Sequence, residues 1–250
     1  MCWKWLSRKG KKIQMIDRQL NYGRHLVERF LQDSMPYEKV LDIGAGKGVD
    51  LSIAYHTNPN IKKLYAVEAF PPNVARLEEA GITVFPLDIE RNKLPLEDEA
   101  IDVVIANQIL EHTKEIFWIL HEITRVLPVG GKLILGVPNL ASLHNRIFLL
   151  FGKQPSPIKS NSAHVRGFTK SDILSFIESG FPGGYVMRRF GGSNFYPFPP
   201  MIARPLARVF PTMAWGIFML LEKKLPYKKS FLDFPVAQRL ETNFYLGHTK

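Results

Sequence analysis

Cysteine is almost absent from this 250-residue chain, which contains only Cys2. A single cysteine excludes an internal disulfide and is consistent with a reducing compartment. The sequence also lacks an uninterrupted apolar run of membrane-spanning length, because its longest apolar region, about residues 195–221, contains Arg204, Arg208 and several prolines. A secretory signal is not predicted either, since the basic N-terminus is followed by mixed polar and apolar residues. We therefore expect a cytoplasmic protein.

Acidic residues are missing from two short segments that account for most of the net charge of +10. Residues 1–12 carry five basic side chains and residues 223–229 carry four, which leaves +1 for the rest of the chain. A nucleic-acid enzyme more often spreads Lys and Arg along a binding face, so this distribution argues against nucleic acid as a partner. Basic ends that also contain Trp and Tyr suit an anionic membrane surface, at the inner face of the membrane. The alternative is that both ends are simply solvated.

Short apolar runs alternate with helical patterns along most of the chain. Strands that alternate with helices over this many units predict an α/β fold, with a mostly parallel sheet and helices on both faces. The predicted strands are residues 39–43, 63–68, 82–86, 101–106, 131–137, 184–190 and 213–222. The predicted helices are residues 13–33, 48–57, 71–80, 114–126, 140–151 and about 169–180. The pattern thus predicts seven strands.

Composition divides the chain into three predicted segments. Residues 1–37 form a basic N-terminal segment and helix, and residues 38–192 form the core. Residues 139–168, inside the core, end in a loop rich in Gly, Pro, Ser and Asn, where a lid over a binding site is expected. Residues 193–250 form an aromatic and basic extension that completes the sheet. Within it, residues 195–210 suit a surface helix at a lipid interface, and a helix that only covers the sheet is the alternative.

The segment VLDIGAGKGVDLS, residues 40–52, places glycines at positions 44, 46 and 48 directly after a predicted strand. Glycines in such a turn allow a ligand to approach the backbone closely, with the amides of the next helix pointing at it. The dinucleotide fingerprint G-x-G-x-x-G would need glycine at position 49, where this chain has Val49. A phosphate-binding P-loop is excluded, because no Lys followed by Ser or Thr comes after the last glycine. The loop therefore predicts a ligand other than a pyrophosphate.

Polar residues follow the next strands at the same edge of the predicted sheet. Glu68 ends the second strand, where a carboxylate can accept both hydroxyls of a ribose. Asp88 follows the third strand, and Asn107 and Gln108 follow the fourth. Acids at successive strand ends, with no basic cluster beside the glycine loop, indicate a nucleoside that carries positive charge instead of phosphates. An adenosyl sulfonium fits this description.

The chain closely resembles the class I S-adenosylmethionine-dependent methyltransferases in four ordered segments: VLDIGAGKG, YAVEAF, PLDIERNKLPLEDEAIDVVIANQILEH and EITRVLPVGGKLILGVPN. The resemblance is strong over about residues 38–190. It is greatest to a bacterial and archaeal branch often encoded with cell-surface polysaccharide or lipid genes. It implies a Rossmann-like seven-stranded sheet, S-adenosyl-L-methionine as the cofactor and methyl transfer as the reaction.

The resemblance also implies which residues line the cofactor. Asp42 and the glycine loop would contact its methionine part, and Glu68 would hold its ribose. Ala69 and Phe70 would pack at the adenine side, and Asp88 with Ile89 would meet the adenine amine and ring. Asn107 and Gln108 would lie near the transferable methyl. The implied set of cofactor residues is Asp42, Gly44, Ala45, Gly46, Gly48, Glu68, Ala69, Phe70, Asp88, Ile89, Asn107 and Gln108.

Methyl transfer to an alcohol also needs a base that removes the hydroxyl proton. The main candidates are His112, which follows the fourth strand, and His164 in the predicted lid, with His144 as a further candidate. His164 lies in SAHVRGFT, which is similar to a stretch found in the same branch of methyltransferases. The alternative is that His164 only locks the loop onto the sheet. His112 and His121 match no recognised metal-ligand spacing, so the sequence predicts no metal.

These features predict a methyltransferase that transfers a methyl group to oxygen on a sugar, a glycan or a lipid-linked small molecule. One alternative is a C-methyltransferase that acts on a quinone or isoprenoid precursor. Another is a protein or nucleic-acid methyltransferase that uses the basic ends as docking arms. Against a nucleobase acceptor, the chain reads ANQILEH after the fourth strand, where an Asn-Pro-Pro-Tyr type of motif would hold a base amine. The sequence identifies neither the acceptor nor the oligomeric state.

Overall fold

Seven strands form one sheet in the computed structural model, which describes residues 17–240 and 243–247. The strands are β1 (Lys39–Ile43), β2 (Lys63–Val67), β3 (Thr83–Phe85), β4 (Val103–Asn107), β5 (Lys132–Pro138), β6 (Tyr185–Ser193) and β7 (Gly216–Lys223). Their order in the sheet is β3-β2-β1-β4-β5-β7-β6. Strands β1 to β5 are parallel, and β7 runs antiparallel to both β5 and β6. The predicted α/β fold with a mostly parallel seven-stranded sheet is confirmed.

Helices connect most of these strands. The α-helices of the described residues are α1 (Arg24–Gln32), α2 (Val49–Thr57), α3 (Pro71–Glu79), α4 (Ile116–Val126), α5 (Leu143–Leu150), α6 (Lys170–Gly180), α7 (Pro200–Val209) and α8 (Ser230–Ala237). The basic segment 1–12 lies outside the described residues. The second basic segment, residues 223–229, begins with the last residue of β7 and extends to the start of α8. The division of the chain at residues 37 and 192 stays a prediction.

Alternate residues of the central strands point to opposite faces of the sheet, where two hydrophobic clusters cover them. In β4, Val104 and Ala106 pack in the cluster that also holds residues of α4, α6 and α8. Val103 and Ile105 pack in the cluster that holds residues of α1, α2 and α3. All four side chains are fully buried. Apolar residues on both faces of a strand are typical of a parallel sheet that is covered on both sides.

The carboxyl ends of the parallel strands lie at one edge of the sheet. Between β1 and β4, the direction in which the chain adds new strands to the sheet reverses. After β1 the chain continues to β2 on one side, whereas β4 lies on the other side of β1. Ligands of open α/β sheets bind in the crevice at such a switch point. Asp42 in β1 and Asn107 in β4 occupy the face that α1 and α2 cover, by the same alternation as Val40 and Ile105.

Two long connections lie at this carboxyl edge. Pro138 at the end of β5 pairs with Gly216 at the start of β7, and Ser193 at the end of β6 pairs with the same glycine. The predicted lid, residues 139–168, therefore begins at the carboxyl edge, and the connection through α7 begins and ends there. At the opposite edge, residues 181–184 alone join α6 to β6.

The N-terminal helix differs from the single helix predicted over residues 13–33. In the described part, a 3₁₀ turn at Arg18–Tyr22 is separated from α1 by Gly23, which has a φ of 53°. A Cβ added at Gly23 would lie 2.2 Å from the ring of Phe218 in β7. A side chain at this position would therefore collide with the sheet, and glycine lets the chain turn instead. The predicted continuous helix is wrong at this point.

Helix α7 occupies part of residues 195–210, for which a surface helix is predicted. Its Ala203 and Ala207 are buried in a small hydrophobic cluster, whereas Met201 is 89% exposed. Helix α8 has no counterpart in the prediction. No helix within residues 17–240 and 243–247 is both long enough and apolar enough to cross a membrane.

A buried network of ion pairs and hydrogen bonds ties the loop between β3 and β4 to helix α4. The guanidinium of Arg125 donates at 2.8 Å to both carboxylate oxygens of Glu122, which is fully buried. Arg125 also donates to Asp98 at 2.8 Å and to the carbonyls of Leu94 and Leu96 at 3.1 and 2.8 Å. Glu122 in turn accepts a hydrogen bond from the amide of Leu94 at 2.6 Å. The network therefore fixes the loop that follows β3 against the core.

Candidate active site

The loop between β1 and α2 forms the first wall of the site. Gly44, Gly46 and Gly48 have positive φ values of 71°, 54° and 74°. The amides of Gly44 and Ala45 donate to the carbonyl of Val67 at 2.9 and 3.1 Å, which fastens the loop to the end of β2. Among the described residues, a Cβ added at Gly46 would meet only the Gly44 carbonyl oxygen, at 4.0 Å. Gly46 thus opens onto free space, where a ligand can lie against the backbone.

Glu68 follows β2 and supports the same loop from the other side. One carboxylate oxygen accepts a hydrogen bond from the amide of Gly46 at 2.7 Å, and the other accepts one from the amide of Phe70 at 2.8 Å. A carboxylate oxygen has two lone pairs, so each oxygen can accept a second hydrogen bond. Glu68 can therefore hold the loop and still accept hydrogen bonds from the hydroxyls of a ligand.

Two buried carboxyl groups, those of Asp42 and Asp50, belong to this site. Asp50 accepts a hydrogen bond from Asn107 at 2.8 Å, and Arg24 Nε lies 3.7 Å from its other oxygen. Burial is the main cause that raises the pKa of both groups. The negative charges of Asp50 and Glu68 raise the pKa of Asp42 further, whereas the positive charge of Arg24 lowers the pKa of both aspartates. A bound cation would relieve this repulsion, so the site favours a positively charged ligand.

The N-terminal segment completes this part of the site. The side-chain amide of Asn107 donates to the carbonyl of Tyr22 at 3.0 Å, and the guanidinium of Arg24 lies 4.6 Å from the centre of the Tyr22 ring. Within the described residues, Oδ1 of Asn107 and Oδ1 of Asp50 are buried and have no hydrogen-bond partner. Oδ1 of Asn107 therefore keeps unused acceptor capacity, whereas Oδ1 of Asp50 faces the guanidinium of Arg24.

Replacing Asp42 with asparagine is expected to raise stability at neutral pH and to weaken the binding of a cationic ligand. Because the pKa of Asp42 is higher in the folded state than in the unfolded state, the wild type loses stability as the pH rises through that interval. Asp42→Asn removes this loss. Its advantage should be small near pH 4 and should grow as the pH rises to 8, because the wild type must increasingly ionise a buried carboxyl group. Urea unfolding at both pH values measures this, and an advantage that does not grow with pH would contradict it.

The residues implied at the adenine side differ in their exposure. Ala69 and Phe70 are exposed, and Phe70 is 59% exposed. Asp88 is also exposed, and its carboxylate accepts a hydrogen bond from the amide of Glu90 at 2.9 Å. Ile89 is buried in the hydrophobic cluster beneath α4. Ala69, Phe70 and Asp88 are thus accessible to a ligand, whereas the side chain of Ile89 is part of the core.

Gln108 turns the chain out of β4. It has a φ of 57°, a value that is uncommon for a residue other than glycine. Its amide donates to the carbonyl of Gly136 at 2.7 Å, and its side-chain nitrogen is buried without a hydrogen-bond partner among the described residues. The next residues form a 3₁₀ turn at Leu110–His112. This turn brings Glu111 and His112 towards the lid.

Glu111, His112 and His164 form one cluster, in which His164 comes from the predicted lid. Each residue offers a carboxylate oxygen or an imidazole nitrogen that lies within 4.8 Å of the others. The two imidazole rings meet edge to face, with their centres 4.6 Å apart. Burial raises the pKa of Glu111 to about 8 and, together with the charge of His112, lowers the pKa of His164. The structure thus brings together the two main candidate bases, His112 and His164.

The lid is joined to this cluster through backbone groups. The amides of Val165 and Arg166 donate to the carbonyl of Glu111 at 2.8 and 3.3 Å. The guanidinium of Arg166 donates to the carbonyls of Thr113 and Lys114 at 3.3 and 2.7 Å. These hydrogen bonds connect the chain after β4 to the lid, and Nδ1 of His112 adds a contact of 3.3 Å with the carbonyl of Ala163.

His144, the further candidate base, has different contacts. Its two ring nitrogens lie 3.1 Å from the hydroxyl of Ser142 and 2.9 Å from the hydroxyl of Ser156. Both contacts connect the start of α5 to the 3₁₀ turn at Ser156–Ile158. These contacts give His144 a structural role within the lid.

The sequence prediction does not include three residues of the site, Arg24, Asp50 and Glu111. Asp50 directly follows Val49 in the first turn of α2, and an acid there is one signal of a polar site beside the glycine loop. The signal for Glu111 is its position next to His112. Arg24 has no local signal, because it meets Asp50 only after the N-terminal segment has packed against the sheet.

The part of the chain that contains the glycine loop and the carboxylates matches a known protein family. Residues 41–135 match the family model described as a methyltransferase domain. We name residues 41–135 the methyltransferase domain after this match. This methyltransferase domain includes the site residues from Asp42 to His112, whereas His164 of the lid lies beyond it.

One curated relative of the methyltransferase domain comes from Streptomyces fradiae and is described as an uncharacterized 37.1 kDa protein in transposon Tn4556. It is 30% identical over 115 residues, which are 44% of this chain. The match covers 33% of that relative, so the chain spans about a third of the length of this relative.

Solved structures of S-adenosylmethionine-dependent methyltransferases share the fold around the methyltransferase domain. One from Thermotoga maritima has a TM-score of 0.56 at 18% identity, over 82% of this chain and 92% of that one. One from Archaeoglobus fulgidus has a TM-score of 0.52 at 18% identity, over 80% of this chain and 94% of that one. A third structure is the 1,6-didemethyltoxoflavin N1-methyltransferase of Burkholderia thailandensis with bound S-adenosylhomocysteine. Its TM-score is 0.55 at 14% identity, over 82% of this chain and 80% of that one. The likeness confirms the Rossmann-like methyltransferase fold.

Proposed function

We propose that this protein is an S-adenosylmethionine-dependent O-methyltransferase that acts on a hydroxyl of a sugar, a glycan or a lipid-linked small molecule. The observation that carries the proposal is that the acid-lined glycine loop and the Glu111–His112–His164 cluster flank the same end of β4. When bound, the cofactor supplies an electrophilic methyl group on a sulfonium. The residues of the chain bind it, orient the acceptor and accept the acceptor's proton.

The charge of the first wall supports this cofactor. Asp42, Asp50 and Glu68 place three carboxyl groups near the glycine loop, and the charges of Asp50 and Glu68 already act on Asp42. They would repel a phosphate and attract a sulfonium or an ammonium group. Gly46 leaves the backbone accessible, and Glu68 keeps acceptor capacity for ribose hydroxyls. The residues present therefore fit an adenosyl sulfonium.

The second cluster supports oxygen as the methyl acceptor. An alcohol loses its proton as the methyl arrives, and a positioned base contributes about 10²–10⁴-fold to the rate. The imidazoles of His112 and His164 can accept a proton, whereas burial raises the pKa of Glu111 to about 8, so its carboxyl already holds a proton near neutral pH. Because the three lie within 4.8 Å of one another, a proton accepted by one can pass to another. A C-methyltransferase would instead need a site that stabilises a carbanion.

The surface around the lid supports an acceptor at an anionic membrane surface. Residues 123–171 and residues 179–221 contain no Asp or Glu. Leu150 and Phe151 at the end of α5 are 80% and 72% exposed, and Met201 in α7 is also exposed. Helices α5 and α7 pack against one small hydrophobic cluster, so they share a flank of the protein. Exposed apolar side chains among basic residues suit an anionic lipid interface.

One labelling experiment tests both parts of the proposal. Full-length protein is incubated with cofactor that carries a labelled methyl group and with a cell extract, which is then separated into lipid, glycan, protein and nucleic-acid pools. We expect label in the lipid or glycan pool, and we expect hydriodic acid to release it, because this reagent cleaves methyl groups from oxygen and leaves those on carbon. We also expect the protein to sediment with phosphatidylglycerol vesicles at low salt, and less with phosphatidylcholine vesicles.

Other outcomes would assign a different acceptor. Label that resists hydriodic acid in the lipid pool would establish C-methylation of an isoprenoid or quinone. Label in protein or nucleic acid would replace the proposed substrate class. Equal sedimentation with both kinds of vesicle would remove the anionic membrane surface from the proposal and leave the glycan or small-molecule acceptor.

A further inference from the structure

The cluster of Glu111, His112 and His164 contains buried polar atoms that have no partner. Glu111 is 1% exposed, and neither of its carboxylate oxygens has a hydrogen-bond partner among the described residues. Nδ1 of His164 is also buried without a partner in the same part of the chain. Buried polar groups are hydrogen-bonded in the large majority of cases. Three unpaired atoms in one cluster therefore indicate that a group is missing from it.

The need to fasten the lid does not account for these side chains. The backbone amides of Val165 and Arg166 hold the lid to the carbonyl of Glu111, and the guanidinium of Arg166 adds hydrogen bonds to two further carbonyls. These contacts leave the carboxylate of Glu111 and Nδ1 of His164 without a partner among the described residues. His112 also contacts the lid through Nδ1, but fastening the lid requires neither the carboxylate of Glu111 nor Nδ1 of His164.

We propose that Glu111, His112 and His164 bind a divalent transition-metal ion of the Zn²⁺ class. Two imidazoles and one carboxylate are ligands that suit such ions, and three protein ligands leave a fourth position open for water or substrate. Mg²⁺ and Ca²⁺ fit less well, because they prefer shells made of oxygen ligands. The site is built from the end of the methyltransferase domain and the lid.

The geometry allows the three ligands to close around one ion. Their ligand atoms lie within 4.8 Å of one another, and in a tetrahedral site with bonds of about 2.1 Å the ligand atoms are roughly 3.4 Å apart. His112 is exposed and can rotate to close this gap. Its Nδ1 lies 3.3 Å from the carbonyl of Ala163. A histidine that binds a metal through one ring nitrogen usually donates a hydrogen bond from the other, and this contact would leave Nε2 to bind the ion.

The chemical role of the ion rests on the proposed function. An ion at this position would bind the acceptor hydroxyl and lower its pKa, so that the proton leaves to solvent and the oxygen then receives the methyl group. With the ion bound, Glu111, His112 and His164 would act as its ligands and no longer as the base. The lid would then deliver one ligand, His164, and the chain after β4 would deliver the other two. Closure of the lid and assembly of the metal site would be the same event.

Titration with Co²⁺ tests the site, because this ion takes the place of Zn²⁺ and absorbs visible light. Full-length protein, freed of metals by chelation, is titrated in the absence of cofactor and acceptor. We expect one Co²⁺ per chain, a visible absorption band typical of four or five ligands, and loss of the band when Zn²⁺ is added. Glu111→Gln and His164→Asn should each weaken binding roughly tenfold or more, because each removes a ligand.

The matched control is His144→Asn, which changes a histidine of the lid region that contacts Ser142 and Ser156. This variant should bind Co²⁺ as tightly as the wild type. Wild-type affinity in Glu111→Gln and His164→Asn, or no saturable Co²⁺ binding below millimolar concentrations, would overturn the proposal. The titration needs no methyl transfer, so a protein that binds Co²⁺ but labels no hydroxyl loses only the proposed function. Circular dichroism checks folding, and His164→Asn carries the test if Glu111→Gln does not fold.

Discussion

Glu68→Gln is expected to weaken the binding of S-adenosylhomocysteine about 100-fold. In the wild type, each oxygen of Glu68 accepts a hydrogen bond, one from Gly46 and one from Phe70. A glutamine side chain has a single oxygen, so its NH₂ group must face one of these N–H donors. A hydrogen bond to a charged group contributes about 1.5–3 kcal/mol, and each 1.4 kcal/mol is tenfold in affinity. Isothermal titration calorimetry measures the change directly.

Glu79→Gln provides the control for this variant. Glu79 is exposed at the end of α3, the helix that follows Glu68, and the substitution changes the charge of the protein by the same amount. Its affinity should equal that of the wild type. If Glu68→Gln binds S-adenosylhomocysteine within about twofold of the wild type, Glu68 does not hold the ligand or the loop in the way its contacts imply.

Arg125→Met is expected to lower the free energy of unfolding by about 3–5 kcal/mol. The substitution keeps an apolar side chain of similar length but removes the guanidinium that pairs with Glu122 and Asp98. Glu122 is fully buried, so its carboxylate would be left without a charged partner. Removing one partner of a buried ion pair typically costs this amount. Urea unfolding monitored by circular dichroism measures the change.

Two further variants isolate the cause of that loss. Glu122→Gln combined with Arg125→Met should recover part of the stability, because the double variant no longer buries an unpaired charge. Arg189→Met removes a guanidinium that pairs with Asp33 at 2.8 Å but is about half exposed, and it should cost less than about 1 kcal/mol. Equal losses for Arg125→Met and Arg189→Met would show that burial of Glu122 does not decide the effect.

Local patterns in the sequence predict the first wall of the site well. The glycines at 44, 46 and 48 follow a buried strand, and Glu68 ends the next one, so parallel pairing alone brings them to one edge. The hydrogen bond between the Gly46 amide and Glu68 is a direct consequence of that pairing. These positions could be predicted because each depends on a strand and the turn that immediately follows it.

Contacts between distant segments could not be predicted in the same way. Arg24 reaches Asp50 only because Gly23 turns the chain against the ring of Phe218. The apolar periodicity of the N-terminal segment does not predict this turn, because Phe218 lies much further along the chain. His164 meets Glu111 because backbone hydrogen bonds bring the lid to the turn after β4. A search for metal ligands by spacing compares histidines along one element and therefore overlooks ligands shared between two.

Pro138 and Ser193 both pair with Gly216, so the strands β5, β6 and β7 are in register at the carboxyl edge of the sheet. The lid and the connection through α7 both emerge at the carboxyl edge, so insertions there lengthen loops without altering the register of any strand. The glycine loop lies at the same edge, but it is part of the turn between β1 and α2 and belongs to neither connection. Insertions or deletions in these two connections are therefore expected to alter the lid side of the site and to leave the turn between β1 and α2 as it is.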